Sequence, residues 1–397
     1  MGVSEEVLRF PRGGRGSTSE GSGFAPPYSL PAAGECVAIG TNTYRSVKPE
    51  GYSLTDDDWD VMLYGNWGTG VLVPNASVGG LYVQGTAGVG HNDGACWGAA
   101  CFDFTVGTWH LKTPTQSTSP YAEFARGISS NFLLSETSGT PYVDVGGALP
   151  SCSHEYRNKV AYGSNVLIVC RGAATRDGSS TASAAVHLAS LASTTVTYSR
   201  FTSNTCPFAT ADMMVVPDAS RNRVWVGQVA LNSLTTLHYF DLSDSTFKTA
   251  GSFSFPPSDC SENGFAFLHA NRYIIKRGVD ANLYAMDLED ISSGWQGPLT
   301  TSGTFPSSVV NSPARYSNGN YYWAPPGGGT SITRLVPPGS PIAGTWAFDS
   351  ITLTGTAIPA YAHTNDDYTA SGYNAAIDCC YTFRGGTHGV MLWRPGS

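Results

Sequence analysis

His91, Asn92 and Asp93 stand together inside the glycine-rich stretch Gly88–Gly94, and of all residues in the chain they look most able to do chemistry. An imidazole beside a carboxylate can relay a proton or ligate a metal. In a glycine-rich turn, however, Asn and Asp commonly bond their own backbone, and this bracing role is the preferred reading. His154 and Tyr156 form a second pair, two residues apart, so that on a strand they share a face. A His and a Tyr facing one substrate are what cleavage of a polysaccharide by elimination needs. Thr55–Asp60 and His363–Tyr368 are rich in carboxylates. The first lacks the glycine and terminal Glu of a calcium loop, and both read as solvated acidic turns. Arg157, Arg171, Arg277, Arg315 and Arg384 recur near strand ends, where they suit either a glycan-hydrolysing funnel or ion pairs between neighbouring elements. Gly327–Gly329 lacks the Lys-Ser that follows a phosphate loop. No residue is assigned a catalytic role, and no metal or other cofactor is expected. The binding candidates are His91, Asn92, Asp93, His154 and Tyr156.

The elements that would position these residues repeat. A short apolar strand runs into Asp and an apolar residue, then a polar turn, then an aromatic residue. Copies stand at Phe102-Asp103-Phe104 with Trp109, Phe240-Asp241-Leu242 with Phe247, and Met286-Asp287-Leu288 with Trp295. Degenerate copies end at Leu191, with Tyr198, and at Leu335, with Trp346. From Leu191 the successive steps are 51, 46 and 47 residues. That period fits four-stranded meanders stacked around a ring, because one meander cannot bury both of its faces alone. The expectation is an all-β chain forming a single β-propeller of six blades, with seven as the alternative. Three strands at the C-terminus need a fourth, and Glu35–Thr41 can supply it and close the ring. Residues 1–30 read as a flexible arm carrying Arg9, Arg12 and Arg15, and 31–397 as the propeller, with an insertion near 114–150.

Composition narrows the class. The 397 residues include 46 Gly, 24 Pro and 12% aromatics but only 13% charged side chains, which favours a β-rich body over disorder. With 22 Lys and Arg against 30 Asp and Glu, the net charge of −8 leaves no basic stripe for nucleic acid. No apolar run approaches a membrane span. Met1–Phe10 holds two Glu and no apolar core, so it does not read as a secretory leader. Nine cysteines, with no C-x-x-C pair, read as reduced structural thiols.

The stretch Gly88–Gly94, followed by Phe102-Asp103-Phe104 and Trp109, resembles the kelch repeat of galactose oxidase-like propellers found in uncharacterised bacterial and phage proteins. Cys152–Tyr156 is similar to the step that opens the next blade there. The likeness spans roughly residues 60–397 and is strongest at 81–112. Val89 interrupts the diglycine, and no residue set matches the copper site of galactose oxidase, so the resemblance implies a fold and not an oxidase. It implies a non-enzymatic structural or binding module, in particular a phage virion component such as a tail, fibre-associated or decoration protein. The arm would then hold copies of the chain or other virion proteins, and the surface could meet a host glycan. The location expected is the virion, with bacterial cytoplasm or secretion as alternatives. The opposing expectations are a glycan-active lyase or hydrolase and a soluble glycan-binding protein.

Overall fold

The computed structural model describes residues 26–47, 70–73, 80–84, 99–114, 159–169, 185–191, 195–207, 213–228, 236–253, 265–278, 280–305, 313–360, 370–384 and 388–396. They form an all-β ring of small sheets, as in a β-propeller. In chain order, β1 (Glu35–Ile39) comes first. β2 (Val71–Val73), β3 (Gly80–Gln84), β4 (Ala99–Asp103) and β5 (Thr108–Pro114) follow as a meander. A second meander comprises β6 (Lys159–Tyr162), β7 (Asn165–Val169), β8 (Ala185–Leu191) and β9 (Thr195–Thr205). The second sheet holds β10 (Met213–Asp218), β11 (Arg223–Gln228), β12 (Thr236–Asp241) and β13 (Thr246–Ser252). The third holds β14 (Ala266–His269), β15 (Tyr273–Arg277), β16 (Leu283–Asp287) and β17 (Trp295–Gln296). The fourth holds β18 (Thr301–Ser302), β19 (Ala314–Arg315), β20 (Tyr321–Trp323), β21 (Ser331–Val336) and β22 (Trp346–Thr352). β23 (Thr354–Gly355), β24 (Ala370–Asn374), β25 (Cys379–Phe383) and β26 (Val390–Trp393) complete the fifth with β1.

Six blades were expected, and the described strands make five sheets. The difference arises at β2–β9, where the two meanders join into one eight-stranded sheet through parallel pairing of Thr113 with Thr195 and Pro114 with Val196. The same handover recurs around the periphery. β18 runs parallel to the start of β22, and β23 to the start of β1. Beyond β1, Asn42 uses its side-chain amide in place of backbone, accepting from the Trp109 N–H at 2.7 Å and donating to the Trp109 carbonyl at 3.0 Å. At these three places the outer strand meets the neighbouring segment instead of ending as an open edge that invites aggregation.

The predicted seam is present. β1 pairs antiparallel with β26, matching Cys36 with Trp393 and Ile39 with Val390, so the N-terminal strand closes the ring. The core lies between sheets, not within one. Phe102, Phe104 and Trp109 pack against Tyr381, Phe383 and Leu392 across the first and fifth sheets. Trp346 and Phe348 meet Phe265 and Phe267 across the third and fourth. With a neighbour on each face, strands read as apolar runs instead of alternating, and all five residues of β16 are buried.

The Asp of the repeat is explained by its turn. Carboxylate oxygens of Asp103, Asp241 and Asp287 accept the backbone N–H two residues on, from Thr105, Ser243 and Glu289, at 2.7, 3.0 and 2.9 Å. Each closes the hairpin between third and fourth strands. Gly107, at φ +69°, ends the first of these hairpins with Tyr28 against it, and a Cβ there would stand 2.9 Å from the Tyr28 ring. Gly107→Ala is expected to cost about 1–2 kcal/mol, from the left-handed backbone alone, with the Tyr28 clash adding to it. If urea unfolding shows Gly107→Ala costing no more in the wild-type background than in the Tyr28→Ala background, the clash is absent.

The five described cysteines, Cys36, Cys101, Cys206, Cys379 and Cys380, are buried free thiols. Burial pushes Cys36 and Cys101 up to about 12 and Cys379 up to about 11. None of the five is expected to react with a thiol reagent at pH 8 until the ring unfolds, which peptide mapping of the labelled native protein will check.

Candidate binding face

An up-and-down meander sends alternate connections to opposite ends of the ring. Tight hairpins, linking first to second and third to fourth strands, gather at one end. The links from second to third strands, and from one sheet to the next, gather at the other. At the hairpin end the described polar groups serve the fold. Asn222, Asn271 and Asp378 take positive φ in equivalent turns, a conformation that Asn and Asp adopt more readily than most residues. Asp218 accepts the Trp225 indole N–H at 3.0 Å and the Arg221 guanidinium at 3.0 Å. Asp287 receives a two-pronged bond from Arg272 at 2.8 and 2.5 Å. Asp378 accepts the Tyr316 and Tyr373 hydroxyls at 3.0 and 2.9 Å, joining the fourth and fifth sheets.

His269 shows how such groups are held. It is buried, its Nδ1 lies 2.8 Å from the Tyr321 hydroxyl, and its ring meets Trp346 edge-on at 5.1 Å. Burial, and then the charge of Arg315, push the imidazole down to about 4 from 6.5. The unfolded chain therefore binds this proton from about pH 6.5 downward, whereas the folded ring resists it until about 4. Stability should fall as pH drops through that window, and His269→Gln should flatten this part of the profile in urea titrations. An unchanged slope would remove His269 as its source.

The link end differs. Its described floor is basic and buried. Lys112 stands near the end of β5 and Lys159 opens β6. Lys276 and Arg277 end β15, and Arg384 follows β25. Arg384 donates through one nitrogen to the Pro326 and Pro359 carbonyls, at 2.9 and 3.0 Å, binding the link ahead of β21 to that ahead of β24. The Arg277 guanidinium lies 5.0 Å from the centre of the Phe305 ring. Sequence singled out both arginines by their place at strand ends. It did not show that one would hold carbonyls and the other an aromatic face, and it gave no signal for Lys112, Lys159 or Lys276.

His91, Asn92 and Asp93, His154 and Tyr156, and the arm residues Arg9, Arg12 and Arg15 all lie outside the described residues, as does most of the 114–150 insertion. His91–Asp93 belong to the link 85–98 from β3 to β4, and His154 and Tyr156 to the link 115–158 from β5 to β6. His154 is five residues from Lys159, within roughly 17 Å of extended chain. In sequence, the links from second to third strands and between sheets hold 17 Asp and Glu and seven Lys and Arg.

No model of a protein family matches the chain, and no curated protein does. Among solved structures, one described as "Structure of YjhT" aligns with 83% of this chain and 93% of its own, at 10% identity and a TM-score of 0.42.

Proposed function

We propose that the chain is a non-enzymatic binding and assembly module, a structural component of a particle of the phage-virion kind. The ring is its rigid frame, the link end carries the ligand surface, and the N-terminal arm joins it to copies of itself or to other structural proteins. The observation that supports this best is the division between the two ends. Hairpin turns bind their own carboxylates, while the long links, up to the 44 residues of 115–158, spring from the other end. Variable loops on a rigid scaffold are where binding specificity resides. His91, Asn92, Asp93, His154 and Tyr156 then read as ligand contacts, with a host-surface glycan as the candidate ligand. A location in the virion follows from the same reading.

The competing function is cleavage of a glycan by these same histidines. The test uses purified full-length chain against a panel of polysaccharides, with His91→Ala and His154→Ala beside it. Binding that weakens in either variant, with no new reducing ends or unsaturated products, is the result expected. Turnover that disappears in either variant would overturn the non-enzymatic reading. For the assembly role, mass measurement of native material should find the intact chain in a complex and the chain lacking residues 1–25 as a monomer. A monomeric intact chain in its native source would count against that role.

A further inference from the structure

Resting on the assembly role, we infer that residues 28–47 form a clasp that copies exchange, β1 of one chain closing the ring of a second. The slot for β1 lies within the described residues and is shaped for this strand. Both of its walls come from the other end of the chain. β26 pairs antiparallel with Cys36–Ile39, and β23 pairs parallel with Glu35 and Cys36. Glycines let the strand approach closely. A Cβ at Gly355 would stand 2.5 Å from the Cys36 carbonyl oxygen, and one at Gly389 2.5 Å from that of Ile39. The wall formed by β26 is apolar, with all four of its residues buried. An empty slot would leave that edge open, so each ring needs a β1 from some chain.

The clasp grips on both sides of the slot. Before β1, Tyr28 donates its hydroxyl to the Phe104 carbonyl at 2.5 Å, and Arg394 donates to the Pro31 carbonyl at 3.1 Å. After β1, the Asn42 side chain holds both backbone groups of Trp109. The buried Tyr44 ring then meets the rings of Trp109 and Phe383, each at 5.4 Å between centroids. Every one of these partners is remote in sequence, and a second copy offers the same set. Exchange therefore keeps each contact and changes only which chain supplies it. Closure within one chain is favoured by the tether alone. Residues 48–70, which lead from the clasp to β2, reach roughly 75 Å at full extension, so they do not confine it to its own ring. Such a tether supplies an effective concentration of roughly millimolar order. Exchange competes where copies are crowded to that level, as when the arm gathers them on a particle. Reciprocal exchange gives a closed pair, and serial exchange gives a larger ring or an open chain.

The experiment co-expresses two single variants of the full chain, Ala38→Cys and Met391→Cys, under different affinity tags. These positions face each other across β1 and β26, where opposed side chains are close enough for a disulfide. Material carrying both tags is oxidised, and the bridged peptides are mapped by mass spectrometry. The double variant, which can bridge within one chain, and thermal unfolding establish that the substituted ring folds. Val37→Cys with Leu392→Cys repeats the test on the adjacent pair. The expected results are a bridge between the two variant chains in the associated fraction, and at least tenfold less of it once residues 1–25 are removed. Association in sedimentation without that bridge, while the double variant bridges within one chain, would overturn exchange and leave assembly through the arm standing. Chains that remain monomeric at about 1 mM, each closed on itself, would also overturn it. The mass of native material then judges the assembly role separately.

Discussion

Deleting residues 1–40 should leave a chain that does not reach a soluble folded ring, whereas deleting residues 1–25 should leave thermal stability within a few degrees of wild type. The first deletion removes β1, which sits between β26 and β23 and is paired on both sides. Cys36 and Ile39 are buried, and β26 beneath them is Val-Met-Leu-Trp with every residue buried. Without β1, four consecutive apolar residues become an open edge, the arrangement that most readily recruits another chain. The lost strand carries backbone bonds from Cys36 to Ile39 with β26 and from Glu35 and Cys36 with β23, each worth about 1 kcal/mol net. Burial of Ile39 adds about 2 kcal/mol. The sum approaches the total stability of an ordinary domain, about 5–15 kcal/mol. The second deletion stops before Tyr28, so the anchor on the Phe104 carbonyl stays. Soluble yield and far-ultraviolet circular dichroism of the two truncations will decide. A folded, soluble chain lacking 1–40 would mean that the seam is an ornament and not the closure.

Asp218→Ala is expected to destabilise the ring by about 3 kcal/mol, near the cost of breaking a buried charge pair. Asp218 is fully buried, and its two oxygens are used several times over. One accepts the Ser220 hydroxyl at 2.5 Å and the Arg221 backbone N–H at 3.2 Å, and the other accepts the Trp225 indole at 3.0 Å and the Arg221 guanidinium at 3.0 Å. Removing the carboxylate takes the partner from an indole N–H in a fully buried Trp, which costs more than the bond itself contributes. It also releases Arg221, whose guanidinium donates to the Asn271 carbonyl at 2.6 Å and so ties the second sheet to the third. Asp218→Asn should fall between, because its amide oxygen can still accept while its NH2 faces donors. Urea unfolding of both variants gives the comparison. A loss below about 1 kcal/mol for the alanine variant would show that the turn is held by its backbone alone.

The repeat was legible because its cause is local. Asp103, Asp241 and Asp287 each bond two residues ahead, so each copy of the turn is written within a few residues and recurs at a readable period. Ring closure was legible for a related reason: three C-terminal strands have no fourth in sequence, and Glu35–Ile39 is an apolar strand with no local mate. The blade count was not legible. It depends on whether Thr113 and Pro114 reach Thr195 and Val196 in backbone pairing, a contact across some 80 residues that leaves no motif in either segment.

The candidate site divides along the same line. Sequence by itself determined an all-β ring, the turn chemistry of its repeat and the histidines worth testing, because these follow from alternation, spacing and residue type. Only the tertiary structure decided that the hairpin turns gather at one end, with Tyr28 beside that of β4 and β5, while the buried bases Lys112, Lys159, Lys276, Arg277 and Arg384 stand at the other. Strand direction around a closed ring sets that division, and direction is a property of the assembled sheets, since no single segment encodes which end of the ring it will occupy.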